Sequence, residues 1–243
     1  RPSFAMPYMT GFVQDVEKAL FLRKFGVPYW ALAYCFGRNA MHWYRMEAGL
    51  GRFSIVETTI QDPSLLPHHV VADEKHTWLN GDKVYCATTV AGGCILGASI
   101  AASAGQEDLE KAYGVFKQEA RTLNPDYCPK TGNTDGWLPT RNAWQSIFPG
   151  ITLLMCFLHI FISIRDRSSK KYKETFRTVS EKLWNCYRAQ TKTSFSQRVR
   201  RLCEWSAKSG IPEFMIEKIE KLRKNLPCFS AAYDSSGAFR TSN

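Results

Sequence analysis

Among its 243 residues the chain has eight cysteines but no Cys-x-x-Cys pair and no close Cys/His grouping of zinc-finger type. The cysteines, at positions 35, 86, 94, 128, 156, 186, 203 and 228, are scattered, as expected for buried thiols in a reducing cytoplasm. No apolar stretch follows the opening Arg1-Pro2-Ser3, so no secretory signal is expected there. The start lacks Met and the chain stops in Arg240-Thr241-Ser242-Asn243, so an excised fragment is expected. Acid is scarce: 22 Asp and Glu against 32 Lys and Arg leave a net charge of +10. A surplus of that size fits an anionic partner, with nucleic acid the first candidate, because Lys and Arg contacts to phosphate supply most non-specific affinity.

Long apolar runs are also few. Ile147 to Ile164 is uncharged and long enough to weigh as a membrane span. Pro149-Gly150 interrupts its start, His159 sits in its second half, and it runs into Arg165-Asp166-Arg167. A buried strand passing into a buried helix explains it better, and no membrane partner is expected.

What is present begins with helices. Phe12, Val16 and Leu20 recur at roughly helical spacing across Gly11 to Phe25. In Pro28 to Leu50, Ala33 precedes Gly37 by four residues and Trp43 follows it by six, which is helix-turn-helix spacing. The small residue lets two helices cross, the glycine makes the turn, and the Trp fills the junction. The second helix would then present Arg38, Asn39, His42 and Arg45 to bases or phosphates. Ser54 to Ile60 is β-prone, and Asp62-Pro63 with Pro67 marks a linker.

From Val70 the pattern is that of strands. Strands are expected at Val70 to Asp73, Lys83 to Val90 and Cys94 to Ala101, with turns at Asn80-Gly81 and Gly92-Gly93. A helix follows over Gln106 to Leu123, its acidic first turn suiting the helix dipole. A strand leading to Asp135, a helix over Thr140 to Phe148 and a strand over Ile151 to Cys156 complete the series. Three strands, helix, strand, helix, strand is the order of a ribonuclease H-like α/β core, a mixed sheet flanked by helices. In that order the first and fourth strands are neighbours, which would bring Asp73 and Asp135 together. Paired carboxylates at strand ends suit magnesium or manganese, and two such ions roughly 4 Å apart clamp an in-line phosphodiester displacement. Taken singly, each aspartate also reads as a solvated strand end or turn residue.

Beyond His159 the chain turns helical and basic. Residues 160–226 carry 17 Lys and Arg against 7 Asp and Glu, a surplus of ten that equals the net charge of the whole chain. Aromatics at near-helical spacing, from Tyr172 to Trp205, interleave with the charges. Two readings stay open: a packed core with a solvated basic face, or a DNA-gripping surface including Lys170, Lys171, Arg198, Arg200 and Arg201.

Four features together resemble DDE-class transposases of the bacterial insertion-sequence and Mutator-like branch, over roughly residues 67–243. They are Asp73 in Val70-Val71-Ala72-Asp73-Glu74-Lys75-His76, Asp135 in Asn133-Thr134-Asp135-Gly136-Trp137, Cys156-Phe157-Leu158-His159, and Arg240-Thr241-Ser242-Asn243. The resemblance implies a ribonuclease H-like core over 67–158, an all-helical basic insertion over 159–228, and the start of the closing core segment over 229–243. An N-terminal helix-turn-helix region and linker would occupy 1–66. It makes Asp73 and Asp135 the catalytic ligands of two Mg2+ or Mn2+ ions, with Cys156 and His159 matching an accessory pair. The third acidic ligand has no match here and is expected just beyond Asn243. His76, near the first aspartate, is a candidate contact to the scissile phosphate, and Trp137 a candidate stacking residue. The implied activity is metal-dependent cleavage at element ends and strand transfer into target DNA. The implied partners are double-stranded terminal repeats and target DNA, bound by a homo-oligomer in a bacterial cytoplasm. Two alternatives remain: a DNA-binding fragment of a decayed or co-opted transposase, and a ribonuclease H-like nuclease that does not join strands.

Overall fold

The computed structural model describes residues 11–50, 54–60, 62–168 and 170–241. Three helices come first: α1 (Val13–Lys24), α2 (Tyr29–Phe36) and α3 (Ala40–Leu50). They close over Ala19, Leu32 and Trp43, all buried. Gly37 takes φ 72° at the bend between α2 and α3, a conformation glycine adopts without strain. The Trp43 indole Nε1 donates to the Gly37 carbonyl at 3.0 Å, so the large residue expected to fill the junction also satisfies the turn's backbone.

Ser54 to Ile60, β-prone by composition, instead forms helix α4 (Ile55–Thr59). The Ser54 hydroxyl accepts from the Glu57 amide at 3.1 Å, an N-cap that overrides the β-branched residues. Val56 and Ile60 then pack into the core beneath the sheet.

The sheet has five strands: β1 (His69–Leu79), β2 (Asp82–Ala91), β3 (Cys94–Ala101), β4 (Thr131–Thr134) and β5 (Thr152–Met155), in the order β3-β2-β1-β4-β5. The first three pair antiparallel as a meander, and β4 and β5 run parallel to β1. This is the ribonuclease H-like order, a mixed sheet flanked by helices. The first strand does not stop at Asp73: it continues to Leu79, because Asn80 and Gly81 at positive φ form a tight turn that keeps β1 and β2 paired to their ends.

Helix α5 (Gln106–Leu123) lies on one face of the sheet and approaches β3 so closely that a Cβ on Gly97 would sit 2.9 Å from Phe116 Cβ. Helix α6 (Leu138–Ile147) begins two residues earlier than expected, since Pro139 suits a first helical turn. Between these helices and the sheet, Tyr113, Phe116, Trp144 and Phe148 form an almost fully buried aromatic cluster, with Trp144 and Phe148 stacked at 5.6 Å.

A second core gathers helices α7 (Phe157–Arg165), α8 (Lys173–Tyr187), α9 (Lys192–Lys208), α10 (Glu213–Lys224) and α11 (Leu226–Ser230). The aromatics Phe176, Tyr187, Phe195 and Trp205 pack into or against it, and the Trp184 ring lies 6.4 Å from that of Phe157, so they serve primarily as core. Among the described residues no helix is long and apolar enough to cross a membrane. Ile147 to Ile164 divides among the end of α6, β5 and α7.

Candidate active site

Strand alternation decides which side chains can meet. On β1, Val70 and Ala72 face the α5–α6 core, while His69, Val71 and Asp73 share the opposite face. On β4 the parallel register pairs His69 with Thr131 and Val71 with Asn133. Asp73 and Asp135 each lie two residues beyond the last paired positions, Val71 and Asn133, and are near enough to act on each other electrostatically. Asp135 directly follows the C-terminal end of β4, whereas Asp73 lies within β1, just beyond its stretch paired with β4.

Local hydrogen bonds hold each carboxylate. Asp73 Oδ1 accepts from the Glu74 amide at 3.1 Å. Asp135 Oδ1 accepts from the Trp137 amide at 2.7 Å, and the Gly136 amide donates to Thr134 Oγ1 at 3.2 Å. That turn requires φ 88° at Gly136, and a Cβ there would overlap the Met155 side chain on β5. Asn133 beneath is fully buried, with Nδ2 donating to the Phe239 carbonyl at 2.8 Å.

Burial is the main reason that Asp73 holds its proton to a higher pH than an ordinary aspartate; His159 opposes this and Asp135 adds to it. Like charges facing each other destabilise the doubly ionised state, and a divalent cation relieves that repulsion. His159, at the start of α7, is raised chiefly by a side-chain hydrogen bond with Cys156, against burial, with further raising by Cys156, Asp73 and Asp135. Its Nδ1 is buried without a hydrogen-bond partner. Asp73, Asp135, Cys156 and His159 are thereby brought into one electrostatic neighbourhood. Two carboxylates are hard oxygen donors that fit magnesium or manganese. Among the described residues, no three His, Cys, Asp or Glu side chains group closely enough to hold a metal.

His76 does not join them. Three residues beyond Asp73 on a continuous strand, it projects from the opposite face and is exposed. Glu74, one residue beyond Asp73, points into the α5–α6 side. There its Oε1 accepts from Tyr113 Oη at 2.6 Å and Thr140 Oγ1 at 2.8 Å. Burial raises its carboxyl and these two hydrogen bonds lower it. Sequence pattern gives no sign of this contact, since Tyr113 and Thr140 lie 39 and 66 residues away.

The DNA-facing candidates separate. Arg38 and Arg45 are exposed, but the Asn39 side chain is occupied by capping the His42 amide at 2.7 Å. Arg200 faces Glu204 at 3.4 Å, and Lys171 Nζ lies 5.4 Å from the Tyr172 ring centroid. Of Lys170 only the backbone is described. Arg198 and Arg201, by contrast, line a cleft of about 380 Å3 between α8 and α9, with Lys182, Asn185, Cys186 and Leu202. Arg198 donates to the Asn185 carbonyl at 2.6 Å, and Lys182 Nζ lies 4.6 Å over the Trp205 ring. Among the described residues no carboxylate lines this cleft. Lys182 was absent from the expected set, although its i, i+3, i+4 spacing with Asn185 and Cys186 mirrors that of Arg198, Arg201 and Leu202. A larger concavity of about 1030 Å3 follows the outer face of α5 and contains neither aspartate.

No protein-family model matches the chain, and no curated protein matches it. Among solved structures, the HTLV-2 integrase catalytic core domain, in complex with magnesium and in a trimeric form, is similar at 16% identity with a TM-score of 0.29. The match covers 72% of this chain and 95% of that one. A likeness at that level adds nothing to what the strand order shows by itself.

Proposed function

We propose that the protein is a DNA transposase of the DDE class, cleaving phosphodiesters at element ends and transferring the freed strand into target DNA. The observation that carries this is the electrostatic coupling of Asp73 and Asp135, each two residues beyond the last paired positions of two adjacent parallel strands in a ribonuclease H-ordered sheet. These two residues would hold divalent metal ions, Mg2+ or Mn2+, which supply an activated water and neutralise charge at the scissile phosphate. Asp73 and Asp135 position and neutralise; His159, whose pKa is raised above its usual value chiefly by the hydrogen bond with Cys156, lies in their electrostatic neighbourhood.

The closing segment supports the same reading. Gly237 lies against the His69 ring, the Phe239 carbonyl meets Asn133, and the Arg240 carbonyl accepts from the Phe157 amide at 3.0 Å. The segment therefore advances along the carboxylate face toward the strand ends, the direction from which the resemblance brings a third acidic ligand. The α1–α3 unit serves as the helix-turn-helix that recognises element ends, through Arg38, His42 and Arg45. The α8–α9 cleft grips phosphates through Lys182, Arg198 and Arg201. The working form is a homo-oligomer on paired DNA ends, in a bacterial cytoplasm.

The test uses duplex DNA flanking the protein's own coding sequence, incubated with Mg2+, with new 3′ ends mapped and joining into a supercoiled plasmid scored. Asp73→Asn and Asp135→Asn should each lower cleavage by at least about a hundredfold, given several kcal/mol of metal-borne stabilisation, with DNA binding retained. Cleavage that survives both substitutions refutes the assignment and leaves a DNA-binding fragment as the account. Cleavage without joining identifies a nuclease.

A further inference from the structure

The two longest strands outrun their sheet. β4 pairs with β1 only as far as Val71, and β3 ends at the level of Tyr85, where Ala101 is its partner. β1 and β2 nevertheless stay paired through Thr77 and Val84, Trp78 and Lys83, and Leu79 and Asp82. The result is a two-stranded ribbon with no third strand among the described residues, rising directly from the edge that carries Asp73.

An isolated two-stranded hairpin is marginally stable in water, and its composition here is not that of a solvated loop. Trp78 is 70% exposed, the highest value for any of the described tryptophans beside Trp30. Its cross-strand partner is Lys83, whose Nζ lies 5.4 Å over the Tyr85 ring. Lys75 and His76 are exposed lower on the ribbon, and Asp82 is the one acidic residue among positions 75–85. A planar aromatic beside cations matches a base beside its phosphates. An acidic peptide would answer the lysines but would present no flat face to the indole.

We propose that the β1–β2 ribbon is a nucleic-acid contact arm, in which Trp78 stacks on an unpaired base and Lys83 takes the adjoining phosphate. This rests on the reading that Asp73 and Asp135 act on DNA, because continuity with that edge selects the partner. Five residues of strand, about 17 Å, separate Trp78 from Asp73, and the odd spacing puts the indole on the face opposite the carboxylate, so nucleic acid held at that edge reaches Trp78 around the ribbon.

The experiment compares two fluorescein-labelled probes by anisotropy, a blunt duplex of arbitrary sequence and the same duplex with a short single-stranded tail. Trp78→Ala should weaken binding of the tailed probe about tenfold and leave the blunt probe nearly unchanged, with Trp78→Phe restoring most of the loss. Lys83→Ala should weaken both and lower the salt dependence by about one phosphate contact. Because Trp78 is exposed, its variants should melt as the wild type does. A Trp78→Ala protein that binds the tailed probe as tightly as wild type overturns the proposal. So does a wild-type dimer in the absence of DNA that Trp78→Ala converts to monomer, since the ribbon would then be a self-association surface. Failure of wild type to bind either probe overturns both this arm and the DNA-directed function. Cleavage surviving Asp73→Asn, with the tail preference intact, overturns the carboxylate assignment alone.

Discussion

Replacing Glu74 by alanine removes the acceptor shared by two buried hydroxyls, Tyr113 at 1% exposure and Thr140 at 0%. Each orphaned buried donor costs about 1–3 kcal/mol, so the variant should lose about 3 kcal/mol of unfolding free energy. For a chain of this size that is a fall in melting temperature of about 6–12 °C. Glu74→Gln keeps a carbonyl oxygen where Oε1 stands and should lose little. The pH dependence separates the two roles of the group. Burial raises the Glu74 carboxyl above its ordinary 4.5, so its contribution is full below that value and is lost as pH rises through the folded-state value. Glu74→Gln lacks that loss and should be at least as stable as wild type near neutral pH. Urea unfolding of wild type, both variants and the Tyr113→Phe double mutants from acid to neutral pH measures every term. If Glu74→Ala costs less than about 0.5 kcal/mol, or its cost is the same in the Tyr113→Phe background, the hydrogen bonds do not hold the strand as described.

Gly136→Ala should destabilise by more than about 1 kcal/mol, because alanine resists φ 88° and its methyl meets Met155. It should also displace Asp135 and lower metal-dependent cleavage. Arg240 donates to the Tyr187 carbonyl, and its guanidinium lies 4.3 and 4.6 Å over the Tyr187 and Tyr233 rings. Arg240→Ala should therefore raise hydrogen exchange at the Phe157 amide and cost about 1–3 kcal/mol, and Arg240→Lys should not restore it, for lack of a planar guanidinium. His159 is held above its usual 6.5, first by its hydrogen bond with Cys156. Its contribution to stability is full below about pH 6.5 and is lost as pH rises through the folded-state value. Metal-free His159→Gln should lack that slope in pH-dependent urea unfolding.

Features governed by neighbours in sequence were legible before the fold. Helix α5 begins at Gln106 and ends at Leu123, and β3 spans Cys94–Ala101, both as expected. Amphipathic period, an acidic first turn and glycine turns are local properties, and local free energies set those boundaries. The element order was enough to make β1 and β4 neighbours, since few sheet topologies accommodate three meandering strands followed by two crossovers. Where local preference was ambiguous, the environment decided. Ser54 to Ile60 reads as strand by its β-branched residues, yet the Ser54 cap and burial of Val56 make it helix. The Thr131–Thr134 strand holds no large apolar residue and is recognisable only from what surrounds it.

By itself, then, the sequence determined the order of elements, the local turns, the excess of positive charge in the helical region and that β1 and β4 are neighbours. Tertiary structure decided what those residues touch. It turned His76 away from Asp73, gave Glu74 two buried donors, spent the Asn39 side chain on a helix cap, and gathered Lys182 with Arg198 and Arg201 in one cleft. It also left Trp78 standing clear of the sheet. The physical reason is range: capping, period and turn chemistry act over a few residues, whereas side-chain contact joins positions scores of residues apart through packing that no local pattern encodes.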